Sequence, residues 1–284
     1  MIPKKIHFYW GNDKISFLRY MTLKSFRYFN PEWEINLVIN DKASKDYMKW
    51  TTLESQDKIG YIGGDYFEKI HDLRVNIKPL DYNLFINDID PEMSDVHISD
   101  FLGWWLLWKE GGIVADMDIL FTKQVSQLIA TLNRQKCNSA MAMFSKFENY
   151  MPVSFMVGDG KDNQFYKDIF SRAKNNYNPA IYQSAGSNSV PFKSLDNIHQ
   201  TYRQLVFMPL SEYIVFPFHN QLDACWSEWC FTGNYVDNME GNHIGIHWYA
   251  GTPLSQIWNN KINENNYAQY NNTICNLIKK INKD

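Results

Sequence analysis

The chain has 284 residues, 45% hydrophobic and 21% charged, which is enough for a sizeable core in one large domain. A net charge of −3, with no long basic run, excludes a phosphate-backbone patch for nucleic acid and a global pull toward anionic membrane. The longest apolar run, Phe101 to Trp108, is too short to span a bilayer, and the opening residues enter a strand-like run with no signal-peptide stretch.

Ile6, Phe8 and Trp10 alternate with His7 and Tyr9, which predicts a strand ended by Gly11-Asn12-Asp13. Ser16 to Phe29 carries apolar residues at helical spacing, and Asn30-Pro31 stops that helix. A second strand is predicted over Trp33 to Ile39 and a third near Arg74 to Pro79. Between them, residues 41–72 read as helical and loop-like, broken by Gly60, Gly63 and Gly64. Strands alternating with helices predict an α/β fold on a mostly parallel sheet, and no linker divides residues 1–284 into two domains. At the far end Ile274, Leu277, Ile278 and Ile281 predict a short amphipathic helix. Cys137, Cys225, Cys230 and Cys275 form no CxxC pair, so buried free thiols in a reducing cytoplasm are expected.

The informative stretch runs from Ser99 to Phe121. Ser99 reads as an N-cap with Asp100 in the first turn, where the helix dipole favours a carboxylate. Phe101 to Trp108 is apolar nearly all round and is expected to be buried. Gly111-Gly112 ends the helix, and Ile113-Val114-Ala115 forms a short strand running directly into Asp116-Met117-Asp118. Carboxylates at i and i+2 on extended backbone point the same way, and at the end of a parallel strand they face the ligand crevice. Two such charges repel unless a hard divalent cation joins them. A solvated acidic turn is the plain alternative. Near the end, Gly245 to Gly251 reads as a strand and turn whose His247 is either a metal ligand beside the acids or a partly buried core group. Gly158 to Asn163 echoes a dinucleotide loop, but Asn163 stands at the third Gly and Asp159 would repel pyrophosphate, so a polar turn is the better reading.

IPKKIHFYWG at the start, Ser99-Asp100 followed by GGIVADMDILF, and HWYAG near the end together resemble the family 32 DXD glycosyltransferases, and more distantly the catalytic domains of clostridial glucosylating toxins. The resemblance covers most of residues 1–125 and returns at 244–258. It implies a Rossmann-like GT-A fold, a UDP- or GDP-sugar donor, a hydroxyl acceptor on a glycan, Mn²⁺ or Mg²⁺, and retention of anomeric configuration. Residues 1–125 would then bind nucleotide-sugar and metal, and 126–284 the acceptor. Trp10 matches the aromatic that stacks on the donor base, with Tyr9 supplying backbone contact. Asp100 matches the acid that bonds the donor sugar, although on spacing alone it is equally an ordinary helix-start Asp. Asp116 matches the acid on ribose or sugar hydroxyls and the metal through water, Asp118 the direct metal ligand, His247 a further ligand, and Gly251 an amide on the diphosphate.

One departure stands out. Gly103 occupies the position where the family carries an Arg for the donor phosphate. Lys109 and the Lys4-Lys5 pair are the available cations in sequence. An inverting transferase using Asp223 or Glu228 as base, and a degenerate sugar-binding module, are the alternatives.

Overall fold

A computed structural model of the chain describes residues 1–41, 59–84, 93–141, 151–190, 198, 200–202, 214–215, 228–238 and 243–283. Asp223, Cys225 and residues 42–58 of the 41–72 stretch lie outside them. The alternating run at the start forms strand β1, Lys5–Trp10, with Ile6 and Phe8 buried. Helix α1, Phe17–Phe29, begins where the Ser16 side chain accepts the Arg19 N–H, and it buries Phe17, Leu18, Met21 and Phe26. Asn30 ends it by turning its amide side chain and its own N–H back onto the Phe26 carbonyl. Strands β2, Glu34–Ile39, and β3, Val75–Pro79, then extend the sheet from β1 in parallel register.

Helix α2 spans Asp95–Lys109 and corrects the expected boundary. The sequence offers two Ser-Asp pairs five residues apart, and the helix starts at the first. Ser94, not Ser99, is the N-cap, and Asp100 sits in the second turn. The reason is tertiary: the Asp95 carboxylate accepts the Tyr9 hydroxyl and the Asn40 amide, which anchors the helix start on the ends of β1 and β2. The turn out of α2 needs its two glycines, because Gly111 and Gly112 have φ of 68° and 103°. Strand β4, Gly112–Ala115, follows, then β5, Ile119–Phe121.

After helix α3, Ser126–Arg134, come β6, Ser139–Met141, and β7, Phe155–Gly158. The segment after β7 is the polar turn expected of it: the Asn163 side chain caps helix α4, Gln164–Asn176. A Cβ on Gly111 would strike its Asp159–Gly160 backbone. The remaining elements are β8, Ile214–Val215; α5, Glu228–Phe231; β9, Gly245–His247; α6, Pro253–Lys261; and α7, Thr273–Ile281.

The six-stranded sheet has the order β3-β2-β1-β4-β7-β6, parallel from β3 to β4 and antiparallel at β7 and β6. A small second sheet, β5-β9-β8, hangs from the end of β4. One face of the large sheet packs Ile6, Phe8, Ile35 and Leu37 with α1 and with Ile274 and Ile278 of α7. On the other face Val38 and Met156 meet α2 and α4 through Phe101, Trp104 and Tyr166. The chain order reverses between β1 and β4, and α/β sheets bind ligands in the crevice beyond such a reversal. Among the described residues no helix is long and apolar enough to cross a membrane.

Candidate active site

Three segments meet at that crevice. From β1 comes Trp10, from β4 the Asp116–Asp118 turn, and from β9 the His247–Gly251 turn. The acids do not sit on extended backbone as expected. Residues 117 and 118 form a turn between β4 and β5, so the two carboxylates converge through the turn and not through strand pleat. The Asp116 N–H bonds the Ser154 carbonyl at 2.9 Å, and Thr22 Oγ1 donates to the Met117 carbonyl at 2.9 Å. The start of the turn is therefore pinned to neighbouring elements.

Pairing of β5 with β9 does the rest. Ile119 lies opposite His247, which places the imidazole beside Asp118, 129 residues earlier in the chain. His247 Nε2 is 3.0 Å from Asp118 Oδ1, and the Ala250 N–H donates to Asp118 Oδ2 at 2.8 Å. The His247 ring stacks on Tyr249 with centroids 4.0 Å apart, which sets its plane. Tyr249 itself has φ of 49°, a left-handed conformation costly for an aromatic residue. That kink turns the chain so that the Ala250 amide reaches the carboxylate. Asp118 is only 8% exposed.

Ligand atoms of Asp116, Asp118 and His247 all lie within 4.8 Å of one another. Two carboxylate oxygens and one imidazole nitrogen at that spacing match the donor set of a Mn²⁺-type ion, so these residues fit the expected metal. Burial pushes the Asp118 carboxyl up, but the His247 imidazole, by charge and hydrogen bond, together with Arg19 and the Ala250 amide, holds it below the usual carboxylate range. Asp100 is set the other way: burial, with the neighbouring Asp116 charge adding to it, raises its carboxyl well above the usual range.

Two close contacts bear on the acids and were not legible in the sequence. Gly186 comes so near Asp100 that a Cβ there would lie 2.6 Å from Oδ2. Arg19, on the first turn of α1, sets its guanidinium over Trp10 with Cζ 4.2 Å from the ring centroid, and lies 5.7 Å from the Trp248 ring centroid. Burial lowers its pKa, and Asp118, Asp116 and Asp13 raise it. Neither residue belongs to a motif; only the fold brings them to the site.

Trp10 is half-buried, its Nε1–H donating to the Asp13 carbonyl at 2.7 Å. The Tyr9 side chain turns away to Asp95. Gly251 follows Ala250 in the same turn, and its carbonyl accepts from Gln256 at 2.8 Å. Gly103 faces the sheet: a Cβ would meet Met156 Cε and Val114 Cγ1, each at 3.3 Å, so the position closes α2 onto β4 and β7. The lysines do not replace the missing Arg. Lys5 starts β1, about 16 Å along the strand from Trp10, and bonds Glu110. Lys4 pairs with Glu32 and Lys109 with Asp162. Glu228 is exposed at the start of α5.

No family model matches the sequence, and no curated protein matches it. Solved structures do resemble its fold. The bifunctional glycosyltransferase WbbM, in its apo structure, is 12% identical with a TM-score of 0.50, covering 91% of this chain and 52% of its own. The apo glycosyltransferase GlyE of Streptococcus pneumoniae TIGR4 is 10% identical with a TM-score of 0.50, covering 99% of this chain and 61% of its own. The chain therefore spans little more than half the length of these proteins. At such identities the likeness speaks for the fold alone: the mixed α/β architecture with its mostly parallel central sheet is that of GT-A glycosyltransferases.

Proposed function

We propose that the chain is a metal-dependent glycosyltransferase that moves a sugar from a UDP- or GDP-sugar to a hydroxyl of a glycan acceptor. The observation that carries this reading is the convergence of Asp116, Asp118 and His247 at the switch point of a GT-A fold. Asp118 and His247 would hold Mn²⁺ or Mg²⁺ directly, and Asp116 would reach the ion and the ribose or sugar hydroxyls. When bound, that ion supplies Lewis-acid neutralisation of charge on the departing diphosphate. Trp10 would stack on the base, Tyr9 would contact it through its backbone, and the Gly251 amide would meet the diphosphate. Asp100, held beside Gly186, would bond the transferred sugar. With retention, the leaving phosphate itself takes the acceptor's proton, and no side-chain base is required. The described cysteines, Cys137, Cys230 and Cys275, are buried free thiols, which supports a reducing, cytoplasmic setting.

A thermal-shift screen of UDP- and GDP-sugars with and without Mn²⁺ tests the reading, since a ligand that binds only the folded state raises the melting temperature. At least one donor should stabilise the protein in a Mn²⁺-dependent manner and be slowly hydrolysed. If no nucleotide-sugar shifts the melt and none is hydrolysed with Mn²⁺, the reading is wrong.

A further inference from the structure

Resting on the donor reading above, we propose that Arg19 grips the diphosphate of the nucleotide-sugar and fills the role left open at Gly103. A donor with its base on Trp10 and its phosphates at the Asp116–Asp118–His247 cluster must run its diphosphate between those two points. Arg19 reaches both points: its guanidinium lies over Trp10, and the charges of Asp116 and Asp118 act on it. Its guanidinium lies over Trp10 at 4.2 Å and 5.7 Å from the ring of Trp248, whose own N–H bonds the Asp118 carbonyl. A guanidinium held over an aromatic ring by cation–π attraction carries five N–H donors, more than that contact uses, and can meet a phosphate bidentately. The Arg19 N–H on the Ser16 cap fixes the backbone from which the side chain starts.

Charge points the same way. Asp13, Asp116 and Asp118 all act on Arg19, so without a cation of its own this acidic crevice would repel a diphosphate. Lys4, Lys5 and Lys109 are paired with acids elsewhere on the molecule. The structural alternative is that Arg19 only offsets the acids or props Trp10, and the two roles separate by ligand.

Isothermal titration of the full chain with UDP, UMP and uridine, and with the guanine series, compares wild type with Arg19→Gln and Arg19→Lys. Nucleoside affinity should stay unchanged in Arg19→Gln, while nucleoside diphosphate affinity falls about ten- to hundredfold, as expected for losing charge-assisted bonds. The loss should persist without Mn²⁺. Arg19→Lys keeps the charge and lacks the fork, so it should lose part of the diphosphate affinity; it decides the matter if Arg19→Gln does not fold. Unchanged diphosphate affinity in both variants overturns the proposal while the wild-type binding leaves the donor reading standing. Equal losses for nucleoside and diphosphate also overturn it, because Arg19 then acts only through Trp10. If wild type binds no nucleotide at all, both readings fall together.

Discussion

Gly186→Ala is the most incisive test of how Asp100 is held. Gly186 has φ of −91° and ψ of −121°, outside the regions L-residues favour, so Ala there carries a backbone cost in addition to its clash with the Asp100 carboxyl. A Cβ would sit 2.6 Å from Oδ2, 3.0 Å from Cγ and 3.1 Å from Oδ1, so the closest separation is about 0.8 Å short of the 3.4 Å where ordinary contact begins. The turn carrying Gly186 cannot easily retreat. Ser187 Oγ donates to the Met151 carbonyl at 2.7 Å, Ser189 Oγ to the Ser184 carbonyl at 2.6 Å, and Trp104 Nε1 to the Ala185 carbonyl at 2.8 Å. The carboxyl should give way instead. Overpacking of this size costs about 1–3 kcal/mol, and a displacement approaching 1 Å in a reacting group lowers turnover roughly 10²-fold. Thermal melts and donor turnover on wild type, Gly186→Ala, Asp100→Ala and the double variant measure both effects. In the Asp100→Ala background the added methyl has room, so the steric part of its cost should vanish and only the backbone part remain, giving a coupling of about 1–3 kcal/mol. An equal drop in melting temperature in both backgrounds, or full turnover in Gly186→Ala, would refute the steric argument.

Asp118→Asn preserves side-chain shape and the partner of the Ala250 amide, so circular dichroism should be unchanged while Mn²⁺ affinity and turnover are lost. Retained Mn²⁺ affinity would remove Asp118 from the ligand set. Trp10→Ala should weaken donor binding by roughly 1–3 kcal/mol in calorimetry, the usual worth of a base stack; unchanged affinity in a folded variant makes Trp10 ordinary core. His7, buried with its Nε2 3.0 Å from the Gly111 carbonyl, is pulled by burial from 6.5 down to about 4. The unfolded chain therefore binds the extra proton first, and stability falls by about 1.4 kcal/mol per pH unit as pH drops from 6.5 toward 4. Urea melts across that window on wild type and His7→Gln check it, and the same slope in both would rule out His7 as the source.

Much of this protein was legible in the residues themselves. Period-two alternation announced β1 and β2, apolar residues at helical spacing announced α1, and the Gly111-Gly112 stop announced the strand that delivers Asp116 and Asp118. Those signals are local: the hydrogen bonds and buried faces that decide them fall within a few residues of one another. The start of α2 was not of that kind, because Ser94 and Ser99 are equally good caps and the choice rests on Tyr9 and Asn40 reaching Asp95. The antiparallel edge of β7 and β6 was likewise undetermined, since a buried strand reads the same in either direction. The site itself is assembled by contacts between distant segments. Pairing of β5 with β9 brings His247 to Asp118, the strained Tyr249 aims an amide at the same carboxylate, and packing of α1 and of the Gly186 turn sets Arg19 and Asp100. No spacing in the sequence encodes those approaches, because their energies come from surfaces that meet only when the chain has folded.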